Sequence, residues 1–377
     1  MNFFVESEEI DKLYGSLKAL PNIQVTGFYT NEPVSASVNY VGKPVLSIYE
    51  AAKLYRDNNE VNFIVHDTRR VEFLSKKLNK LSALGVDMAD ILIASKEFLL
   101  TGEVDKLYKF ENYHRLPYIE YHVADHCNLN CKGCVHFAPL VDGEIFASLN
   151  RVTKDLMQLK SIAPYIDTIR ILGGEPLLNP ELSCYLSMTR ELYPLAEINI
   201  VTNGILLQQS NDTLLENLQR YRIGVDISLY PPMFDKIDGI ISRLQSAGIV
   251  LTISEPIVDF FIPLDQSLGH TKFTNVHHCA CPNLYDGAIY VCPVIAYIRY
   301  FNKTFGTKLD DLDGRIDIYA PTITFDKLQV ELHKVRLLCD SCWLMSREYA
   351  ARQKWSRAHG KQITDYMLLK SHITSQA

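Results

Sequence analysis

From about residue 117 to 260 the chain repeats one pattern, an apolar run followed by an amphipathic stretch. The apolar runs are "YIEYHVADHC", "TIRILGGEPLL", "EINIVTNGI", "IGVDISLY" and "VLTISEP". Between them lie "RVTKDLMQLKSIA", "ELSCYLSMTRELY", "DTLLENLQRY" and "FDKIDGIISRLQSAG", each apolar at helical spacing. Continuous apolar strands alternating with amphipathic helices predict a parallel sheet covered by helices. Five or six such units predict an α/β fold, a partial (βα)6 TIM-like barrel, with its chemistry at the C-terminal strand ends. The unusual residues fall at those ends: a cysteine cluster, "GGEP", "TNG" and "SLY".

The cluster, "HCNLNCKGC", brings Cys127, Cys131 and Cys134 onto one loop. What three close thiols are for depends on the compartment. The start, "MNFFVESEEIDKLYG", turns acidic at once and has no basic region, so no signal peptide is expected. No run of about 18 apolar residues occurs, so no membrane span is expected either. A cytoplasmic protein is the expectation, and there nine cysteines point to metal or catalysis rather than disulfides. The net charge is −6 with no basic run, which leaves no electrostatic footprint for nucleic acid or an anionic membrane. Zinc normally takes four ligands, commonly from CxxC pairs, and this loop supplies three. A [4Fe–4S] cluster held by three thiolates keeps one iron open for a substrate or cofactor.

With CxxxCxxC after the first strand, GGEP at 173–176, TNG at 202–204 and DISLY at 226–230, the chain resembles the radical S-adenosylmethionine (SAM) superfamily. The resemblance covers residues 117–345 and implies a SAM-binding [4Fe–4S] cluster on Cys127, Cys131 and Cys134. It further implies that the open iron chelates SAM and that one electron, from an external donor such as flavodoxin or ferredoxin, breaks the S–C5′ bond. The resulting 5′-deoxyadenosyl radical would abstract a substrate hydrogen. By the same resemblance Glu175 accepts the SAM ammonium, Gly173 and Gly174 allow close backbone approach, and Asn203 and Ser228 meet ribose or carboxylate. Many members place an aromatic residue before the third cysteine. Here Gly133 stands there, and Phe137 is the expected apolar replacement. A structural metal knuckle is the alternative for the loop.

A second cysteine group lies downstream. Asp286-Gly287 is a two-residue hairpin signal, and counting outward puts Cys281 opposite Cys292, with Cys279 on the same face. Cys339 and Cys342 add two more thiols. The arrangement resembles the twitch form of the SPASM extension, which holds a second, auxiliary [4Fe–4S] cluster. Cys281 is preferred over Cys279 from the register, and a zinc ribbon is the alternative. Cys184, mid-helix, reads as a core residue.

Residues 1–112 read as a small Rossmann-like α/β domain, 113–268 as the barrel, and 269–377 as the auxiliary-cluster domain with a C-terminal helix. In the first, "IQVTGFYT", "VNFIVHDT" and "DILIAS" are predicted strands, Ser47 and Glu50 form a capping box, and "RRVEFLSKKLNKLSAL" is a predicted helix. No GxGxxG is present, so a scaffolding or docking role is expected over a nucleotide site. This domain also resembles one found in proteins of sugar and surface-polysaccharide biosynthesis. That implies a carbohydrate or other polyhydroxylated small molecule as substrate, with a peptide as the alternative. His136, Tyr230 and Glu255 are the candidate catalytic residues for a dehydrogenation, epimerisation or dehydration.

Overall fold

The computed structural model describes residues 2–7, 10–30, 38–58, 61–66, 77–78, 80–109, 114–208, 210, 212–265, 281–309, 313–334, 336, 338–339 and 352–369. The chain divides into two compact units, Met1–Pro117 and Tyr118–Ala377.

The first unit is a seven-stranded sheet. Its strands are β1 (Asn2–Glu6), β2 (Gln24–Thr30), β3 (Asn39–Tyr40), β4 (Lys43–Ser47), β5 (Val61–His66), β6 (Ile91–Ala94) and β7 (Leu107–Lys109). Their order is β3-β4-β2-β1-β5-β6-β7. The central β1 pairs in parallel with β2 and β5, and its Phe3 and Val5 pack with Leu13, Leu17, Phe28, Ile64 and Phe98. Sequence reading missed β1 because a five-residue apolar start carries no alternation. It found β2, β5 and β6, and also the capping box. Ser47 N–H donates to Glu50 at 2.9 Å, and Glu50 N–H returns to the Ser47 hydroxyl at 3.3 Å. The helix expected over residues 69–84 lies mostly outside the described residues.

The second unit is built on an eight-stranded sheet. Strands β8 (Arg115–Ala124), β9 (Tyr165–Gly173), β10 (Glu197–Thr202), β11 (Ile223–Ile227) and β12 (Leu251–Ile253) stand side by side in chain order. Helices α4 (Leu149–Ile162), α5 (Leu182–Leu192), α6 (Asp212–Arg220) and α7 (Ile237–Ser246) connect them; three helices, α1 (Ile10–Leu17), α2 (Ile48–Asn58) and α3 (Lys96–Thr101), belong to the first unit. The pairings β9–β10, β10–β11 and β11–β12 are all parallel. This is the open, helix-covered α/β sheet that the βα period predicts.

The chain then adds β13 (Asp259–Phe261), β14 (Leu264–Asp265) and a hairpin, β15 (Asn283–Tyr285) with β16 (Ala288–Tyr290). The hairpin turn is Asp286-Gly287, both at positive φ (41° and 78°), as a type I′ turn requires. Its register pairs Asn283 with Tyr290 and Tyr285 with Ala288, and the paired strands end two residues short of Cys281 and Cys292. The expected boundary at 268/269 is crossed by main-chain pairing. β15 pairs in parallel with β8, and β16 pairs with β17 (Arg315–Asp317), so these three strands extend the barrel sheet. The tip is fixed by Asp155 on α4, which accepts Gly287 N–H and the Tyr319 hydroxyl, both at 2.8 Å. Two short C-terminal strands, β18 (Arg352–Lys354) and β19 (Met367–Leu368), pair with β13 and β14. Helix α8 (Pro293–Phe305) runs between β16 and β17, and α9 (Phe325–Leu332) between β17 and β18. No helix among the described residues is long and apolar enough to cross a membrane.

Candidate active site

The strand ends β8 to β11 enclose a cavity of about 260 Å³. Its wall carries all three loop cysteines together with His136, Gly173, Gly174, Asn203, Ser228 and Tyr230. Residues from four separate strand ends thus meet in one place.

The main chain builds this convergence. Gly174 N–H donates to Ala124 O at 2.7 Å and Glu175 N–H to His126 O at 3.0 Å, so the GGEP segment runs hard against the cysteine loop. A Cβ at Gly173 would strike the Ala124 carbonyl, and one at Gly174 the His126 carbonyl. The close approach that demands glycine is therefore to the protein's own backbone.

Glu175 lies beneath the cavity and is fully buried. Its carboxylate accepts Thr202 Oγ1 (2.7 Å), Asn203 N–H (2.9 Å) and Leu177 N–H (3.1 Å). Burial pushes its pKa up to about 7 against those three bonds. Asn203 donates through Nδ2 to Asn128 at 2.8 Å and lies 3.8 Å from Cys127 Sγ, which pins the TNG turn to the cysteine loop. Ser228 N–H donates to Thr202 O at 2.9 Å.

Each cysteine sulfur faces N–H donors. Cys127 Sγ accepts from Leu129 N–H at 3.4 Å, and Cys131 Sγ from the Trp355 indole at 3.2 Å. At Cys134 the nearby backbone of Ala138, His136 and Phe137 works against burial, which still raises the thiol. Burial, with the neighbouring thiols and at Cys127 also Glu175 adding to it, pushes Cys127 and Cys131 up to about 12, so the free thiols stay protonated. Among the described residues, no three His, Cys, Asp or Glu side chains converge on a single metal ion. A four-iron cluster asks for something else, since each thiolate meets its own iron and the sulfurs stand around the cluster.

Tyr230 stacks on Phe260 (centroids 5.8 Å apart, planes at 10°), and Trp355 follows at 6.5 Å. Burial and then the charges of Cys131, Cys134 and Cys127 raise the Tyr230 pKa, so its hydroxyl sits beside the loop thiols. Phe137 does not reach the cavity. It is fully buried and packs on Phe301 and Tyr366. The aromatic surface near the missing position comes instead from Tyr230 and Phe260. Gly133, at φ +70°, has no room for an aromatic side chain: a Cβ would lie 2.7 Å from Gln353 Nε2 and 2.9 Å from Phe261 O. Glu255 is exposed and outside the cavity wall.

Sequence reading also missed a network just before the cysteines. His122 Nδ1 donates to Asp125 at 2.8 Å, and Asp125 also accepts Arg299 (3.2 Å) and the Tyr300 hydroxyl. Burial lowers His122 to about 4, so the ring is neutral. Burial works to raise Asp125, but His122, Tyr300 and Arg299 outweigh it and hold the carboxyl low. With Nδ1 donating, His122 Nε2 is left to accept from His136 Nδ1 at 3.2 Å. The signal was there in "HVADHC", a His near the end of β8 and an Asp three residues on, just past the strand end.

The family model described as the Radical SAM superfamily matches residues 121–243. Residues 121–243 therefore resemble a radical SAM domain. Domains of that family use SAM and a [4Fe–4S] cluster, and the three sulfurs on one cavity wall fit a cluster there. The chain is 35% identical over 125 residues to a GTP 3′,8-cyclase of Clostridium acetobutylicum, covering 32% of this chain and 38% of that one. It is 28% identical over 153 residues to a probable GTP 3′,8-cyclase of Methanococcus aeolicus, covering 39% and 50%. The chain thus spans half or less of these curated relatives. BtrN in an open conformation aligns over 60% of this chain and 92% of its own, with 19% identity and a TM-score of 0.35.

Of the SAM-site expectations, Gly173, Gly174, Asn203 and Ser228 line the cavity, whereas Glu175 and Phe137 do not. The auxiliary group is only partly in view. Cys292 and Cys339 are buried and Cys281 is exposed, while Cys279 and Cys342 lie outside the described residues. Cys184, expected in the core, is exposed, because it sits on the outer face of α5 while Tyr185 and Leu186 turn inward.

Proposed function

We propose that the protein is a radical SAM enzyme acting on a small polyhydroxylated molecule, either a sugar or the ribose of a nucleotide. Bound at this cavity, SAM and the cluster supply a 5′-deoxyadenosyl radical that removes a substrate hydrogen. Cys127, Cys131 and Cys134 hold the cluster. Asn203, Ser228 and the backbone of Gly173–Gly174 orient SAM, and the Tyr230–Phe260 pair closes the aromatic side against water. Tyr230 and His136, both on the cavity wall, are the candidates for moving a substrate proton. Glu255, exposed and off the wall, is left out of this role.

The observation that carries the reading is the meeting of the three sulfurs with the GGEP, TNG and SLY strand ends in one cavity. A polar substrate is supported by the layer beneath. Arg170, Asn199 and Asp226 each stand two residues before a cavity residue, Leu172, Val201 and Ser228, and so share its face of the sheet. Arg170 pairs with Asp226 at 3.0 Å, and Glu120 on β8 accepts from Tyr118 and Asn283. Carboxylates, amide and guanidinium on a sheet face suit a substrate rich in hydroxyls. The curated relatives, named for GTP, favour the nucleotide branch of this substrate class.

The test is anaerobic reconstitution followed by an assay for 5′-deoxyadenosine. Deuterium transfer into that product would then be followed from labelled sugars, nucleotides and peptides in turn. The expected result is SAM cleavage, with label arriving from a sugar or ribose carbon. No 5′-deoxyadenosine from a reduced, iron-loaded protein would overturn the enzyme reading, and label from a peptide alone would overturn the substrate class.

A further inference from the structure

The C-terminal strap, residues 352–366, lies across the cysteine loop although more than two hundred residues separate them in sequence. Lys132 N–H donates to Ser356 O at 3.0 Å and Ala358 N–H to Asn130 O at 2.8 Å, forming a short antiparallel bridge at Cys131 and Arg357. Lys132 Nζ pairs with Asp365 at 3.2 Å. Within this strap Trp355 is held twice, through its N–H to Val258 O at 2.8 Å and through its ring against Tyr230. Its indole Nε1–H points at Cys131 Sγ, 3.2 Å away. The nearest donors to the other two loop sulfurs are backbone N–H groups of the loop itself.

We propose that Trp355 is a positioning residue that raises the reduction potential of the SAM-binding cluster through its hydrogen bond to Cys131. This rests on Cys131 being a cluster ligand, as proposed above. Reduction adds an electron whose charge spreads onto the thiolate sulfurs. An N–H aimed at one of them stabilises the reduced form more than the oxidised form, and such bonds are among the determinants of cluster potential. The indole is a donor only, so it cannot turn round and destabilise the reduced state. The strap thereby links the C-terminal end of the fold to the ease with which an external donor loads the cluster.

The experiment is an EPR-monitored redox titration of reconstituted full-length protein, with the SAM cluster identified by the change in its signal when SAM is added. W355F removes the donor and keeps an aromatic ring. Its reduction equilibrium should fall roughly tenfold, about 59 mV for one electron, with iron content unchanged. W355H, which restores a ring N–H, should recover part of that shift. S356A, which alters the strap beside Trp355 without changing a charge and keeps the Ser356 carbonyl that accepts Lys132 N–H, should leave the potential where it was. Equal potentials in wild type and W355F would overturn the inference. If W355F fails to keep its iron, indole-15N tryptophan in a W343F background decides the matter: a 15N coupling to the reduced cluster upholds the contact, and none overturns it. A wild-type protein with no SAM-responsive signal would instead sink the ligand assignment, and the inference with it.

Discussion

The carboxylate of Glu175 accepts the backbone N–H of Asn203 at 2.9 Å, so the GGEP loop acts on the cavity by holding the TNG turn. A resemblance-based reading puts Glu175 on the SAM ammonium. The geometry gives it three internal donors and no exposed surface. We therefore expect N203A to weaken SAM binding more than E175Q, by calorimetry on reconstituted protein. Equal losses, or a larger one for E175Q, would return Glu175 to direct contact.

Glu175 also makes stability depend on pH. Its folded pKa, about 7, lies above the ordinary 4.5, so the folded chain keeps a proton that the unfolded chain has already lost. Stability therefore falls as pH rises from 4.5 to 7 and levels off above that. The shift corresponds to about 3 kcal/mol at most. His122 works the other way: its pKa is lowered to about 4, so its contribution grows with pH as the unfolded imidazole releases its proton. Comparing wild type with E175Q by urea unfolding isolates the glutamate. The Gln variant should gain on the wild type between pH 5 and 8, and a flat difference would mean that burial does not govern this group.

Much of this site was legible because it is local in sequence. The cysteine spacing, GGEP, TNG and SLY each occupy one strand end, and βα periodicity places strand ends together. The hairpin was legible for the same reason, since Asp286-Gly287 fixes its own register. What could not be read was set by distant pairing. Nothing in "RQKWSRA" announces a strap over residue 131, and β1 has too few residues to show a period. That Glu175 and Phe137 stand off the cavity wall could not be read either, because a motif identifies a residue type at a position and does not say which way the side chain turns.

Gly133 is a consequence of the strap. Its φ of +70° and the proximity of Gln353 and Phe261 leave no space for a Cβ. G133A should cost about 1–2 kcal/mol for the left-handed backbone alone, plus whatever displacement the strap undergoes. We expect a lower melting temperature and faster proteolysis within 352–366. A variant as stable and as protease-resistant as the wild type would show that the strap does not pack on this glycine in solution.

Tyr230 offers a ring and a hydroxyl to the same cavity, and the two can be separated. The ring stacks on Phe260, and the hydroxyl stands beside the loop thiols. Y230F keeps the stack and should retain SAM affinity while lowering turnover if the hydroxyl moves a proton. Y230A should lose affinity by roughly tenfold, in line with the value of an aromatic contact at about 0.5–1.5 kcal/mol beyond area burial. Full turnover in Y230F would remove the hydroxyl from the chemistry.

The last prediction concerns the second cysteine group. The paired strands of the hairpin end at Asn283 and Tyr290, two residues short of Cys281 and Cys292, and Cys292 and Cys339 are buried. Cys292 caps α8, whose chain also supplies Arg299 and Tyr300 to Asp125, so a metal bound there would be mechanically tied to the loop before Cys127. If Cys281, Cys292, Cys339 and Cys342 hold an auxiliary [4Fe–4S] cluster, the reconstituted protein should carry about eight irons. C292S or C342S should remove about four of them and leave the SAM-responsive signal in place, while C279S should be the milder change. Closing a long loop by metal ligation stabilises the chain, so the same variants should become protease-sensitive after residue 281. About four irons and one zinc would identify a structural ribbon instead, and an electron-accepting role for this group would then have to be abandoned.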